Sequence, residues 1–277
     1  MDGYDKLKPY GICIHGCVDG FSRCVLWMDA WTTNNDPKVV AGYYLDTVER
    51  LHGCPERIRS DAGGENRHVE QMQLLLRHDH NDRFAGSKSF LYGSSVHNQR
   101  IEFWWGILRK QCVQYWMDMF KHLKNEDLFC GDYLDKSLVQ FCFLDVIQKE
   151  IKDVAQTWNF HQIRANKNNP SGKPSVLFSL PQLYGAEDHL KHVCPASLEL
   201  CRQECTPRGT SSTCPQVWPT GLLDNLDRVL NLTNIGLFSP LPVVRSKSEP
   251  VQKRRNFDKS SEFSSRMYFV KKPDVAL

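Results

Sequence analysis

Asp61 is a carboxylate that is predicted to lie at the end of a strand, where it could bind a metal ion. It follows a short apolar-centred run, Pro55 to Ser60, that is typical of a strand, and Gly63 and Gly64 break the extended geometry after it. Open α/β sheets keep their functional side chains at the carboxyl ends of strands. The structural alternative is that Asp61 only forms a turn or caps a helix. A metal site would need acidic partners from elsewhere in the chain.

Glu102 is the second candidate, in the first turns of a predicted long helix. Apolar residues recur at three- and four-residue steps from Ile101 to Met119. Gly106 and Arg109 lie four and seven residues after Glu102, so they share its face, and the glycine leaves the space above the carboxylate open. The alternative is a solvated acid on a helix surface.

The elements around these acids predict a mixed α/β sheet. Two strands, Tyr10 to Val18 and Phe21 to Met28, flank Asp19-Gly20, which is a strong hairpin signal. Trp104 and Trp105 are predicted to be core residues rather than a surface for stacking bases. The other predicted elements are a helix from Asp36-Pro37 to His52-Gly53, a strand from Pro55 to Ser60, a helix from about Glu65 to Arg77, and a long helix from Asp135 to Trp158.

Composition sets loose bounds on function. The chain has 277 residues, 41% of them hydrophobic and 24% charged, which is ordinary for a globular protein. The net charge of +3 permits a nucleic-acid partner without arguing for one. No apolar run approaches the roughly 18 residues of a membrane helix, and the first residues do not form a signal peptide. The 11 cysteines are therefore expected to be reduced, in an intracellular protein without disulfides.

The later part of the chain carries weaker signals. Residues 186–239 read as a poorly defined helical and loop region, and residues 240–277 as a disordered tail rich in Ser, Pro, Lys and Arg. Within that tail, Lys253-Arg254-Arg255 could act as a nuclear import signal. A polar run from His78 to Gly86 is predicted to be a loop rather than a metal site. A zinc site is disfavoured for lack of paired C-x2-C spacing, although the candidates are His189, His192, Cys194, Cys201, Cys205 and Cys214.

Four motifs, taken in order, resemble the catalytic core of retroviral and retrotransposon integrases and the related cut-and-paste transposases. An acid, Asp2, precedes the hairpin of apolar strands, and Ser60-Asp61-Ala62-Gly63-Gly64-Glu65-Asn66 is close to the family's SD-x-G-x-E/N pattern. A third acid opens a helix in His97-Asn98-Gln99-Arg100-Ile101-Glu102. Trp158-Asn159, Arg164 and Lys173-Pro174-Ser175 are similar to the family's closing segment. The resemblance covers about residues 1–185 and implies a ribonuclease-H-like mixed sheet flanked by helices, with a helical extension.

The resemblance also implies a chemistry. Asp2, Asp61 and Glu102 would be the catalytic acids and would hold two Mg²⁺ or Mn²⁺ ions, which prefer carboxylate oxygen. The reaction would be metal-dependent cleavage and joining of DNA strands, which is DNA integration. The basic residues expected to contact phosphates near the site are Arg59, Arg100, Arg109 and Lys110. Arg109 and Lys110 could equally serve solubility.

The chain departs from this family at its front. Asp2 has only Met1 before it, so the first strand is expected to be incomplete, and Asp5 is a fallback for the first acid. Two hypotheses follow. The first is an enzyme core that binds DNA ends or a target duplex, forms a homo-oligomer when active, and works in the nucleus without a membrane partner. The second is a transposon-derived, domesticated module that binds nucleic acid or protein without turnover.

Overall fold

The computed structural model describes residues 1–93, 98–165 and 170–205. The fold is mixed α/β, as the sequence predicts. The predicted tail at 240–277, with its basic run at 253–255, lies outside the described residues, as do Cys214 and most of the predicted loop region. None of the described helices is long and apolar enough to cross a membrane.

Three antiparallel strands carry the first acid. They are β1 (Asp2–Tyr4), β2 (Cys13–Val18) and β3 (Val25–Trp31), paired in the order β1-β2-β3. Asp2 lies opposite Gly16 of β2. The residue before Gly16, His15, lies opposite Gly3 of β1 and opposite Asp29 of β3. Because side chains alternate between the faces of a strand, Asp2 and His15 point to opposite faces of this sheet.

The turn between β2 and β3 is longer than the Asp-Gly signal predicts. The prediction that the second strand starts at Phe21 is wrong, since β3 begins at Val25. The cause is the Asp19 side chain, whose Oδ2 accepts hydrogen bonds from the Phe21 and Ser22 backbone N–H groups and from the Ser22 hydroxyl, at 3.1, 2.6 and 2.6 Å. A side chain that holds its own following backbone in this way favours a wider loop over a two-residue hairpin.

Four short strands complete the described β structure. β4 (Cys54–Pro55) pairs antiparallel with β7 (Leu190–Lys191), and β5 (Ile58–Ser60) pairs parallel with β6 (Phe90–Tyr92). The Met1 backbone nitrogen donates to the Arg59 carbonyl oxygen at 2.9 Å, so the start of β1 lies beside β5. Asp61 comes directly after β5, at its carboxyl end, as the sequence predicts.

The helices surround these strands. They are α1 (Pro37–Leu51), α2 (Arg67–Leu76), α3 (Gln99–Leu108), α4 (Gln114–Asn125), α5 (Tyr133–Phe160), α6 (Pro174–Ser179) and α7 (Pro195–Glu204). A π-helical turn, Arg109–Val113, joins α3 to α4 and makes them one continuous helical run. The predicted start of α1 is confirmed, because the Asp36 side chain accepts from the Lys38 N–H at 2.9 Å and Pro37 occupies the first turn.

The two faces of the β1-β2-β3 sheet pack against different helices. On one face His15 lies near the Tyr43 ring of α1, in a core that includes residues of α1, α2 and α7. On the other face Gly16 and Met28 lie against Trp105 of α3. The long helix α5 reaches β3, where the Gln148 side chain bonds to the Ala30 N–H and the Met28 carbonyl at 2.6 and 3.2 Å. The face that carries Asp2 and Gly16 therefore packs against α3, and the face that carries His15 packs against α1.

Candidate metal and nucleic-acid site

Asp2 is held by a tryptophan from the opposite layer. The Trp105 indole Nε1–H donates to Asp2 Oδ2 at 2.9 Å, and the Trp105 ring stacks on Tyr4 with centroids 4.9 Å apart. Gly16, opposite Asp2, makes room for this ring, since a Cβ there would lie 2.4 Å from the Met28 methyl carbon and 3.0 Å from the indole. The indole hydrogen bond is made to Asp2 Oδ2, and the Gly3 backbone N–H is a further donor to this carboxylate.

Asp61 is held by residues that follow it in the chain. Its Oδ1 accepts a hydrogen bond from the Asn66 side-chain amide at 3.0 Å and a longer one from the Gly63 N–H at 3.4 Å. Asn66 ends the short 3-10 turn Gly64–Asn66, immediately before α2, and is fully buried. Asp61 thus follows a strand, as predicted, and its carboxylate is also held by a buried side chain, that of Asn66. The SD-x-G pattern does not predict this contact.

Glu102 is the third acid and the most exposed of the three. It lies in the first turn of α3, with its backbone N–H bonded to the Asn98 carbonyl at 3.3 Å. A side chain added at Gly106 would meet nothing within 4 Å, which confirms that the space along this face of the helix is open. Asn98 also donates its side-chain amide to the Met1 carbonyl at 3.1 Å, so the start of α3 is tied to the start of β1.

Asp2 lies within electrostatic reach of Asp61 and Glu102. Burial raises the pKa of the Asp2 carboxyl above its ordinary value, and the Trp105 hydrogen bond opposes this rise. The negative charges of Asp61 and Glu102 raise the pKa of Asp2 further. Asp5, the fallback for the first acid, is engaged elsewhere, since it pairs with Lys8 at 2.8 Å and accepts from Asn34 at 2.7 Å. Asp61 and Glu102 are the acids whose charges reach Asp2 strongly enough to raise its pKa.

This donor set fits a divalent cation of the Mg²⁺ or Mn²⁺ type. All three side chains offer carboxylate oxygens, which hard cations prefer, and their mutual repulsion is the kind that a bound cation relieves. The three acids are not a compact ligand group. In the part of the chain that the structure describes, the group of possible ligands whose atoms all lie within 4.8 Å of one another is a different one, Cys130, Asp132 and Asp135.

That second group is accounted for by a helix cap. Asp132 precedes α5 and accepts from the Asp135 N–H at 2.8 Å, while Asp135 accepts from the N–H groups of Cys130 and Gly131 at 2.5 and 3.0 Å. Two acids that satisfy backbone N–H groups at the start of a helix have a structural reason to be there. They carry no independent sign of a ligand.

The four basic residues named above occupy different places. Arg59 lies on β5 and is exposed, and Arg109 and Lys110 are exposed in the π-helical turn that follows α3. Arg109 donates to Gln114 at 2.9 Å and lies close enough to Tyr4 for its charge to lower the pKa of that phenol, against a larger rise caused by burial. Arg100 is half-buried and lies near Arg23, whose pKa is lowered by burial and by the Arg100 charge.

Several residues of the resembling motifs turn out to support the fold. Trp104 and Trp105 are buried, which confirms the prediction that they are core residues. The Trp158 indole donates to the Arg23 carbonyl at 2.8 Å, and the Asn159 side chain bonds both the Val25 N–H and the Val25 carbonyl, at 2.8 and 3.0 Å. The end of α5 thus covers the free edge of β3. A groove of about 450 Å³ lies nearby, along β3 between α1 and α5, and none of the three acids lines it.

Sequence reasoning missed Asn66, Trp105 and His15 as supports of the site. Asn66 is part of the quoted motif but had no predicted role, and Trp105 was predicted only as a core aromatic. The spacing of Trp105, three residues after Glu102, is the signal that puts the indole on the side of α3 facing the sheet. His15 gave no signal beyond a polar residue in an apolar strand.

Comparison with known proteins places the chain in a family. No curated protein and no solved structure matches the chain. Residues 1–184 match the family of the integrase core domain, which is well over half of the 277 residues and contains all three acids with their supports. The chain belongs to the integrase core domain family.

Proposed function

We propose that this protein is a metal-dependent polynucleotidyl transferase that cleaves and joins DNA strands, with Asp2, Asp61 and Glu102 as its DDE-type catalytic acids. The family supports the general part of this proposal, because integrase core domains bind DNA and depend on divalent metal ions in general. The observation that supports the specific part is that Met1 bonds to the Arg59 carbonyl and accepts from Asn98, which brings the start of β1 beside the end of β5 and the start of α3. The charges of Asp61 and Glu102 also contribute to the raised pKa of Asp2.

Each acid has a distinct task in this proposal. Asp2, Asp61 and Glu102 would hold two Mg²⁺ or Mn²⁺ ions, which when bound would activate an attacking hydroxyl and stabilise the leaving oxygen. Trp105 donates to Asp2 Oδ2 and the Glu102 side chain is exposed, and an ionised carboxylate with one or two donors still has lone pairs for a metal ion. The open space at Gly106 leaves a path along α3 for a sugar-phosphate backbone. Arg59, Arg100, Arg109 and Lys110 would contact phosphates on the approach.

We also infer that the strands belong to one ribonuclease-H-like sheet. The antiparallel set β3-β2-β1 and the parallel pair β5-β6 are adjacent at the Met1–Arg59 contact, which supports the order β3-β2-β1-β5-β6. This order puts the ends of β1 and β5 side by side, and their acids with them. In the same proposal, residues 1–185 form the catalytic core, 186–239 and 240–277 are separate regions, and the active protein is a homo-oligomer acting on nuclear DNA.

Calorimetric titration with Mn²⁺ tests this function first, on the wild type and on Asp61→Asn. The wild type is expected to bind about two ions. Because Asp61→Asn removes a negatively charged ligand, Mn²⁺ binding should collapse and Mn²⁺-dependent nicking of DNA should fall by about a thousandfold or more. Asp132→Asn is the matched control, since it makes the same chemical change at an acid of the helix cap.

Two results would overturn the proposal. Nicking that survives both Asp61→Asn and Glu102→Gln would show that other groups carry the reaction. A wild type that binds DNA at low salt but takes up no Mn²⁺ and cuts nothing would leave a nucleic-acid-binding module without turnover. In that case the affinity for DNA should also be unchanged in Asp61→Asn.

A further inference from the structure

Asn66 is a buried amide placed between an acid of the site and the protein core. Its Nδ2 donates to Asp61 Oδ1 at 3.0 Å and to Glu65 Oε1 at 3.2 Å, and no part of the residue is exposed. A carboxylate accepts hydrogen bonds and does not donate them, so the NH₂ end of this amide must face the two acids. The Oδ1 end is therefore turned away from the acids, and its atom is buried without a partner of standard geometry.

His15 supplies the group that the Asn66 oxygen faces. His15 is buried on β2, and the Trp27 indole Nε1–H lies 3.1 Å from its Nδ1. Since an indole nitrogen can only donate, Nδ1 is the acceptor and the ring proton is on Nε2. The His15 Nε2 atom is also buried without a partner of standard geometry, yet the Asn66 side chain raises the pKa of His15 as a hydrogen-bond acceptor does. His15 is thus a neighbour of Asn66, and the two atoms that lack a partner of standard geometry belong to this pair.

The charge state of His15 determines which of its ring nitrogens can donate a hydrogen bond. Burial, with the positive Met1 amino group adding to it, lowers the pKa of His15 to about 3. The ring is therefore neutral near pH 7, with one N–H directed at Asn66 and one lone pair directed at Trp27. A neutral imidazole with a fixed tautomer can set which end of a neighbouring amide it meets.

We propose that Asn66 is a positioning residue for Asp61, itself held in orientation by His15 and Trp27. Hydrogen bonds run from Trp27 to His15 and from Asn66 to Asp61, and His15 and Asn66 are neighbours, so that the core of the sheet lies directly behind one carboxylate oxygen. Residues behind a metal ligand commonly act in this way, and their loss weakens metal affinity by about ten- to a hundredfold. The inference rests on the proposed role of Asp61 as a metal ligand.

Asn66→Leu is the variant that tests this role, because leucine has a similar shape and no polar atoms. Gln73→Met is a matched control, since Gln73 is an equally buried amide whose bonds go to Tyr44 and the Pro55 carbonyl at 2.6 and 2.8 Å. We expect Asn66→Leu to weaken Mn²⁺ binding by about tenfold or more while Gln73→Met does not. Nicking by Asn66→Leu should recover as the Mn²⁺ concentration is raised, because the Asp61 carboxylate is still present. Nicking by Asp61→Asn should not recover.

A second measurement is independent of how well the variant folds. Nitrogen NMR of the wild type, with ¹⁵N-labelled histidine, should show His15 neutral with its proton on Nε2 from about pH 5 to pH 8. A proton on Nδ1, or an Asn66→Leu protein that binds Mn²⁺ as tightly as the wild type, would overturn the inference. If either result were found while Asp61→Asn lost Mn²⁺ binding as expected, only this inference would fail and the proposed function would stand. A wild type that binds no Mn²⁺ would remove the proposed function and this role with it.

Discussion

Asp132 and Asp135 form one acidic group of this chain, and Asp2, Asp61 and Glu102 form the other. In the first group the partners are backbone N–H groups at the start of α5, within five residues of the acids. In the second group the acids come from β1, from the end of β5 and from α3, and the donors that hold Asp2 and Asp61 are the side chains of Trp105 and Asn66.

This difference separates acids that stabilise a helix from acids that are kept available for a ligand. The carboxylate oxygens of an acid that caps a helix accept hydrogen bonds from nearby backbone N–H groups, close to the positive end of the helix dipole. An acid held by one side-chain donor keeps lone pairs free, and here it also lies close to like charges. We therefore expect substitutions in the first group to lower stability and substitutions in the second to lower metal binding and activity.

Trp105→Phe tests the group of Asp2, Asp61 and Glu102, and its expected effect, a loss of Mn²⁺ affinity and nicking, is the largest of those discussed below. The variant keeps an aromatic ring against Tyr4 but removes the indole N–H that orients Asp2. We expect Mn²⁺ affinity and nicking to fall by about ten- to a hundredfold, as for other residues behind metal ligands. Calorimetry and a nicking assay measure both quantities on the folded protein.

The control for Trp105→Phe is Trp116→Phe. Trp116 is also buried and also donates its indole N–H to a carboxylate, Glu150 Oε2, at 2.7 Å, but that acid is not part of the site. Both variants should lose some stability from the smaller ring. If Trp116→Phe lowers Mn²⁺ affinity as much as Trp105→Phe does, the effect is general loosening of the core and not orientation of Asp2.

How far the sequence predicts these features depends on how local their causes are. The start of α1 at Asp36-Pro37 and the place of Asp61 after a strand follow from neighbouring residues, and both predictions are confirmed. The hairpin around Asp19-Gly20 is local too and is confirmed, but the predicted start of its second strand at Phe21 is wrong, because the Asp19 carboxylate bonds to Phe21 and Ser22 and widens the turn.

The supports of the site could not be read from the sequence because their partners are distant in it. Trp105 and Asp2 are 103 positions apart and meet only when α3 packs on the sheet. The tautomer of His15 depends on Trp27 across a strand pair, and the orientation of Asn66 depends on both. A motif can name the acid that binds a ligand, whereas the residues that aim that acid are set by tertiary packing.

Asp135→Ala tests the first group. The substitution removes the acceptor of the Cys130 and Gly131 N–H groups and should lower the free energy of unfolding by about 2 kcal/mol. Urea unfolding measures this loss. Mn²⁺ binding by the folded variant should equal that of the wild type, and a weaker Mn²⁺ affinity would mean that Cys130, Asp132 and Asp135 hold a cation after all.

Asp2→Asn gives the smallest effect and the most direct contrast, because here a substitution in the site should raise stability. The pKa of Asp2 in the folded protein lies above its ordinary 3.8, chiefly through burial. Between pH 3.8 and the raised pKa the folded state binds more protons than the unfolded state, so stability falls as the pH rises through that window and the penalty persists above it. Asparagine carries no such penalty and can still accept the Trp105 hydrogen bond.

In metal-free buffer near pH 7, Asp2→Asn should therefore melt at a higher temperature than the wild type, and the gap should close as the pH is lowered below the window. Added Mn²⁺ should reverse the order, because only the wild type gains stability by binding the ion in its folded state. A variant that melts below the wild type in metal-free buffer would show that the Asp2 charge is stabilised by its surroundings. Asp2 would then resemble the helix-capping acids, whose charge stabilises the fold, and the contrast between the two groups of acids would fail for this residue.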